Sequence, residues 1–145
     1  MFKTFALASV LLLGSTAIAQ SPAPTTDDAM VRETIATYLH GLKFNDVESL
    51  KKAFLPEAKL YFVKKNGSLG QLTQEQWYEG FKASAGKEEQ GELSIAAVDV
   101  AGNAASAKVE EDYPNSHYID YISLLKLNGE WKIVNKIFYA SSKHR

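Results

Sequence analysis

The 145-residue chain contains no cysteine. That absence excludes a disulfide framework, a thiol nucleophile, a thiolate metal site and the lipid-carrying cysteine of a bacterial lipoprotein. Histidine is scarce as well. His40, His117 and His144 stand far apart and no pair has metal-ligand spacing, so neither a metal nor a cofactor is expected. No charge of one sign dominates: sixteen Lys and Arg face seventeen Asp and Glu, without a basic stripe, and nucleic acid is not a predicted partner. There is no phosphate loop, no dinucleotide fingerprint and no G-x-S-x-G elbow.

Long apolar runs are missing but for one near the start. Residues 5–13 (FALASVLLL) fall short of the ~20 helical residues that span a bilayer. With Lys3 before it and Ala17-Ile18-Ala19 after it, the run reads as a secretory signal with an A-x-A cleavage site. Residues 1–19 are therefore expected to be a signal peptide and the mature protein to start at Gln20, periplasmic or secreted. Without Lys3, fifteen basic residues face seventeen acidic ones, a formal charge of −2. No later segment is apolar enough to cross a membrane. Residues 20–27, holding the run SPAPTT, read as a linker, residues 28–140 as one domain and residues 141–145 as a tail. A domain of this size can bury a core without disulfides.

Apolar spacing maps the elements. Asp27 and Asp28 are N-cap candidates for a helix over residues 29–43, with Val31, Ile35, Tyr38, Leu39 and Leu42 on one stripe. Asn45-Asp46 caps a short second helix that buries Val47, Leu50 and Phe54 and ends at Pro56. Residues 59–65 read as a strand turned by Asn66-Gly67. Thr73 and Gln76 have capping-box spacing for a third helix carrying Trp77 and Phe81, closed by Gly86. From Glu92 onward strands follow, over residues 93–100, 104–113 and a terminal hairpin. Helices first and antiparallel strands afterward predict an α+β domain with helices on one face of a curved sheet.

The hairpin, residues 118–139, is the most specific segment. Asn128-Gly129 suits a type I′ turn, because both central residues need φ > 0. A two-residue loop sets Leu127 opposite Glu130, Leu124 opposite Ile133 and Tyr118 opposite Tyr139. One face then carries Tyr118, Asp120, Ile122, Leu124 and Lys126, with Trp131, Ile133, Asn135, Ile137 and Tyr139 across from them. The other carries Ile119, Tyr121, Leu125, Val134 and Phe138 with Lys132 and Lys136, a mixed surface that suits a protein–protein interface.

An early helix ending near Phe44-Asn45-Asp46, the run Phe54-Leu55-Pro56-Glu57-Ala58 and the hairpin from Asp120 to Lys136 are similar to small exported bacterial proteins called putative lumazine-binding. These belong to the nuclear-transport-factor-2-like superfamily, with the polyketide cyclases and ketosteroid isomerases. The resemblance covers roughly residues 28–139. It implies a cone-shaped fold, three N-terminal helices on a curved, mostly antiparallel sheet, a pocket at the open end and homodimers through the outer sheet face. Superfamily enzymes use pocket Asp, His or Tyr as acid–base groups, and no complete set of theirs maps onto this chain.

Asp120 is the sharpest candidate, a carboxylate among Tyr118, Ile122, Trp131 and Tyr139 with Asn135 at the diagonal. It is a ligand contact, a general base, or a structural group held by Asn135. Glu111 shares strand parity with Ala107, Val109 and Tyr113, yet beside Glu110 and Asp112 it reads as part of a solvated rim. His117 could reach the pocket mouth. The expected ligand-binding set is Tyr38, Trp77, Tyr118, Asp120, Asn135 and Tyr139. The favoured function is noncatalytic binding of a small, aromatic or otherwise planar ligand. The alternatives are an isomerase or dehydratase using Asp120 and an interaction module whose cone is filled by Tyr38, Trp77 and Phe81.

Overall fold

The computed structural model describes residues 26–143. The expected signal peptide, its cleavage site, most of the linker and His144 lie outside the described residues. Helix α1 (Thr26–Lys43) leads into α2 (Val47–Ala53), strands β1 (Phe54–Val63) and β2 (Leu69–Thr73), helix α3 (Gln74–Tyr78) and a 3₁₀ turn over Glu79–Ser84. Four strands follow: β3 (Glu92–Ala101), β4 (Ala104–Asp112), β5 (Ser116–Leu127) and β6 (Glu130–Ser142). They form one sheet in the order β2-β1-β6-β5-β4-β3, antiparallel except for the parallel β1–β6 pair. The sheet is therefore mixed, and the helices pack on one of its faces.

The core is the stripe read from the helix periodicity laid on that face. Val31, Ile35, Tyr38 and Leu42 are buried against Val109, Ile122, Leu124 and Ile133. Burying a side chain of this kind contributes about 1.5–3 kcal/mol relative to leaving it exposed. Asp46 caps α2 as expected, its side chain accepting from the Glu48 and Ser49 amides, and Thr73 with Gln76 closes a full capping box on α3. Helix α1 starts earlier than the spacing predicts. Asp27 and Asp28 accordingly sit inside its first turn, where Asp27 Oδ1 accepts from Lys126 Nζ at 2.7 Å and from Trp131 Nε1 at 3.2 Å. That contact ties the helix start to the hairpin end.

Several elements depart from expectation. The third helix is α-helical only over Gln74–Tyr78, and Phe81 lies in the 3₁₀ turn that follows. Phe54 and Pro56 lie in β1, because α2 already ends at Ala53. The β1–β6 register shifts between Phe54 and Lys59, and in that irregular stretch the missing N–H of Pro56 costs no ladder bond. Strand β2 was not evident from the sequence because Leu-Gly-Gln-Leu is short and broken by glycine. Gly70 is needed there, since a Cβ would stand 2.5 Å from the Phe62 ring.

The terminal hairpin turns as read, with φ of 51° at Asn128 and 86° at Gly129. Leu127 pairs with Glu130 and Leu124 with Ile133. Then the ladder slips. Ser123 pairs with Asn135, leaving Val134 as a bulge, and every later residue of β6 changes face. Tyr118 therefore pairs with Ala140 rather than with Tyr139. Gly129→Val should lower stability by roughly 1 kcal/mol or more, because a β-branched residue is strained at positive φ. Thermal denaturation checks this, and an unchanged midpoint would contradict the turn.

Candidate functional site

The Val134 bulge builds the site. Beyond it, Lys136 and Phe138 point to the helix-covered face, while Asn135, Ile137 and Tyr139 point away from it. Asn135 and Tyr139 are thus corrected from the expected set, as Tyr139 is 63% exposed on the outer face. Phe138 and Lys136, expected outside, are inside. Asp120 meets Phe138 across the ladder, with Lys136 at the diagonal.

At the inner end of the sheet four ionisable side chains converge. Lys136 Nζ donates to Asp120 Oδ2 and to the Tyr38 hydroxyl, each at 2.9 Å. The Tyr38 hydroxyl also contacts Asp120 Oδ2 and lies 3.2 Å from Glu111 Oε1, and the Tyr113 hydroxyl donates to Glu111 Oε2 at 3.1 Å. The ammonium sits 5.0–5.4 Å from the ring centres of Phe138, Trp77 and Tyr38, within cation–π range. Asp120 and Tyr38 are fully buried, and Lys136 and Glu111 nearly so. Glu111 is therefore no part of a solvated rim. The parity of Ala107, Val109 and Tyr113 pointed inward, and parity rather than the neighbouring acids was the correct signal.

Above this cluster opens a cleft of about 550 Å³. Trp77, Phe81, Tyr113, Tyr118 and Phe138 supply its aromatic walls, Glu111 and Lys136 its polar floor. Glu88 and Glu89 stand at its edge, the former 3.4 Å from Lys43 and the latter accepting from Asn45 at 2.8 Å. Of the residues expected to bind ligand, Trp77 and Tyr118 line the cleft, whereas Tyr38 and Asp120 lie in the layer beneath it. His117 does not reach it and contacts Asp112 at 3.2 Å instead. No group of three or more His, Cys, Asp or Glu suited to a metal occurs among the described residues.

Burial, reinforced by the charge of Asp120, pushes the Glu111 carboxyl up to about 8. Burial, with the charges of Asp120 and Glu111, raises the Tyr38 phenol well above its ordinary range. At neutral pH the floor thus holds a neutral carboxyl and a neutral phenol beside the Lys136–Asp120 salt bridge.

Comparison with known proteins agrees with this architecture. A sequence profile of the family described as "Putative lumazine-binding" matches residues 26–139. The chain belongs to this family. Among curated proteins it is similar to the aldolase FrzH of Cladobotryum sp, 28% identical over 119 residues covering 78% of this chain and 90% of that one. An NTF2-like protein of unknown function from Shewanella baltica OS155 superimposes with a TM-score of 0.75 at 22% identity, covering 85% of this chain and 100% of that one. A putative ketosteroid isomerase from Shewanella frigidimarina NCIMB 400 does so with a TM-score of 0.58 at 12% identity, covering 79% and 98%. The fold of this family member is NTF2-like.

The raised Glu111 value has a stability consequence. The folded protein holds a proton on Glu111 that the unfolded chain releases near pH 4.5. Its contribution is fully present below that pH, falls as pH rises and is lost once pH passes about 8. Wild-type stability should decline across this window, and Glu111→Gln should remove the decline, with a difference on the order of a few kcal/mol at its alkaline end. Urea denaturation at several pH values reads it. Asp120→Ala should cost about 3–5 kcal/mol in the same assay, because it strands the Lys136 ammonium.

Proposed function

We propose that this family member is an exported protein that holds a small, planar, uncharged molecule in the cleft on the concave face of its cone. The observation that carries this reading is the aromatic wall above a polar floor, with apolar area to bind a ring system and polar groups at the floor and edge to orient it. Binding of this kind needs no turnover. The membership in a family described as putative lumazine-binding supports a small-molecule ligand, and the apolar run before Ala17-Ile18-Ala19 supports export. Of the six residues first expected at the ligand, the proposal keeps Trp77 and Tyr118 as direct contacts and adds Glu111 and Lys136.

A second reading, an acid–base enzyme, is favoured by the ionisable cluster on the floor and by the likeness to an aldolase. In that reading Glu111 is the group at the cleft and Asp120 supports it from below. Wild type and Glu111→Gln separate the two: an enzyme should lose about 10²–10⁴-fold of its rate, a binding protein little affinity.

The outer sheet face supports a homodimer. Tyr121, Ile137 and Tyr139 are at least half exposed, beside Val63 and Leu69 at 75% and 67%, and they run across β5, β6, β1 and β2. Apolar exposure of this extent on a central strand suits a twofold contact. Native mass spectrometry of protein purified from its own host should show a dimer that starts at Gln20 and retains a ligand. Ile137→Glu should give folded monomers on sedimentation. A wild-type monomer at micromolar concentration would sink the dimer, and an intact Met1 would sink export.

A further inference from the structure

One phenolic proton cannot serve two carboxylates. The Tyr38 oxygen has three neighbours, Lys136 Nζ, Asp120 Oδ2 and Glu111 Oε1, and a hydroxyl offers one donor and two acceptor sites. Lys136 fills one acceptor site. If both carboxyls were ionised, Asp120 and Glu111 would compete for the single O–H and one contact would be left between two lone pairs. If one carboxyl keeps a proton, every site on Tyr38 is used. Asp120 already carries the ion pair with Lys136, so the retained proton belongs on Glu111, which donates to Tyr38 while Tyr38 donates to Asp120. Net charge agrees. The cluster sums to −1 with both carboxylates ionised and to zero with one proton retained, and a buried neutral cluster costs far less.

We propose that Glu111, Tyr38 and Asp120 share one proton, and that this proton keeps the cleft floor neutral and selective for an uncharged carbonyl-bearing ligand. The proposal rests on reading the cleft as the ligand site. Glu111 lines the cleft. When Glu111 gives its proton to the Tyr38 oxygen, Tyr38 passes its own proton to Asp120 Oδ2, and the reverse transfer restores the starting state, so no atom or charge is lost. Two of the three Lys136 N–H donors are used within the cluster, and the third is available to a carbonyl oxygen at the cleft floor. An anion would find no uncompensated cation, since Lys136 is the only Lys or Arg among the lining residues and Glu88 and Glu89 stand at the edge. The groups facing the cluster are Tyr38 from α1, Glu111 and Tyr113 from β4, Asp120 from β5 and Lys136 from β6. Glu89, ahead of β3, adds its field at Tyr113.

Ionised Glu111 would capture the spare Lys136 donor and repel the ligand oxygen. Affinity for a carbonyl ligand should therefore be constant below pH 8 and fall roughly tenfold per pH unit above it. Carbon-detected NMR titration of the unliganded protein tests the shared proton. The Glu111 and Asp120 carboxyl signals should move together near pH 8, and the Asp120 movement should vanish in Glu111→Gln. An ordinary Glu111 titration at about 4 would overturn the proposal. Tryptophan fluorescence with acetylnaphthalene and naphthoate as probes tests the selectivity. Wild type should bind the ketone at pH 6 and not at pH 9.5, and Glu111→Gln should bind it at both. Equal binding of naphthoate, or pH-independent binding of the ketone, would overturn the selectivity. If neither probe perturbs Trp77 or Tyr118, the ligand reading of the cleft fails, while the carboxyl titrations still decide the shared proton.

Discussion

The single extra residue in β6 is the constraint on which both faces of the sheet depend. Were the ladder unbroken past Ile133, Asn135 would lie beneath α1 and Lys136 would face outward. Asp120 would then be a fully buried carboxylate opposite an amide, which can donate to it but cannot neutralise it. Removing one partner of a buried ion pair costs about 3–5 kcal/mol, more than a third of the stability of many domains. The Val134 bulge brings Lys136 to within 2.9 Å of Asp120 and turns Phe138 inward beside it. The same slip sends Ile137 and Tyr139 outward, where with Tyr121 they make the apolar outer face. A local irregularity thereby sets the chemistry of one face and the stickiness of the other.

How far the fold could be read from residues follows from how local each signal is. The α1 stripe, the Asp46 cap, the Thr73–Gln76 box and the Asn128-Gly129 turn are decided within a few residues, and the structure keeps them all. Strand β2 depends on its neighbour, since this Gly-interrupted five-residue run pairs along its whole length with β1, with Phe62 beside Gly70. The bulge is less legible still. Asn135-Lys136 and Ile137-Phe138 alternate polar and apolar in pairs, so neither register gives a clean face. The choice is made by Asp120 on the neighbouring strand, sixteen residues away. Trp77 and Tyr118 were recognised and Lys136 was not for this reason. Glu111 was available from parity, but the flanking Glu110 and Asp112 suggested solvent.

The inner face is graded along its length, and the gradation ties stability to the proposed chemistry. Strand β4 passes from Ala107 and Val109 to Glu111 and then Tyr113 follows. Strand β5, running the other way, passes from Leu124 and Ile122 to Asp120 and Tyr118. Strand β6 passes from Ile133 to Lys136 and Phe138, and α1 lays Val31 and Ile35 over the first level and Tyr38 over the second. Three adjacent strands thus change from aliphatic to ionisable to aromatic in the same order, along a diagonal on which Lys136 is opposite Ile122, Asp120 opposite Val109 and Phe138, and Glu111 opposite Tyr118. Apolar side chains of similar volume at the middle level would be as stable or more so, because the desolvation of paired charges is seldom fully repaid. A layer that contributes little to folding, satisfied almost entirely within itself and roofed by aromatic rings, fits the role proposed for the cleft above it. Asp120 Oδ1, the one described buried side-chain oxygen without a hydrogen-bond partner, lies in that layer. Tyr38 and Lys136 both meet the other oxygen, Oδ2, so Oδ1 is an acceptor that the fold itself leaves open on the residue at the centre of the layer.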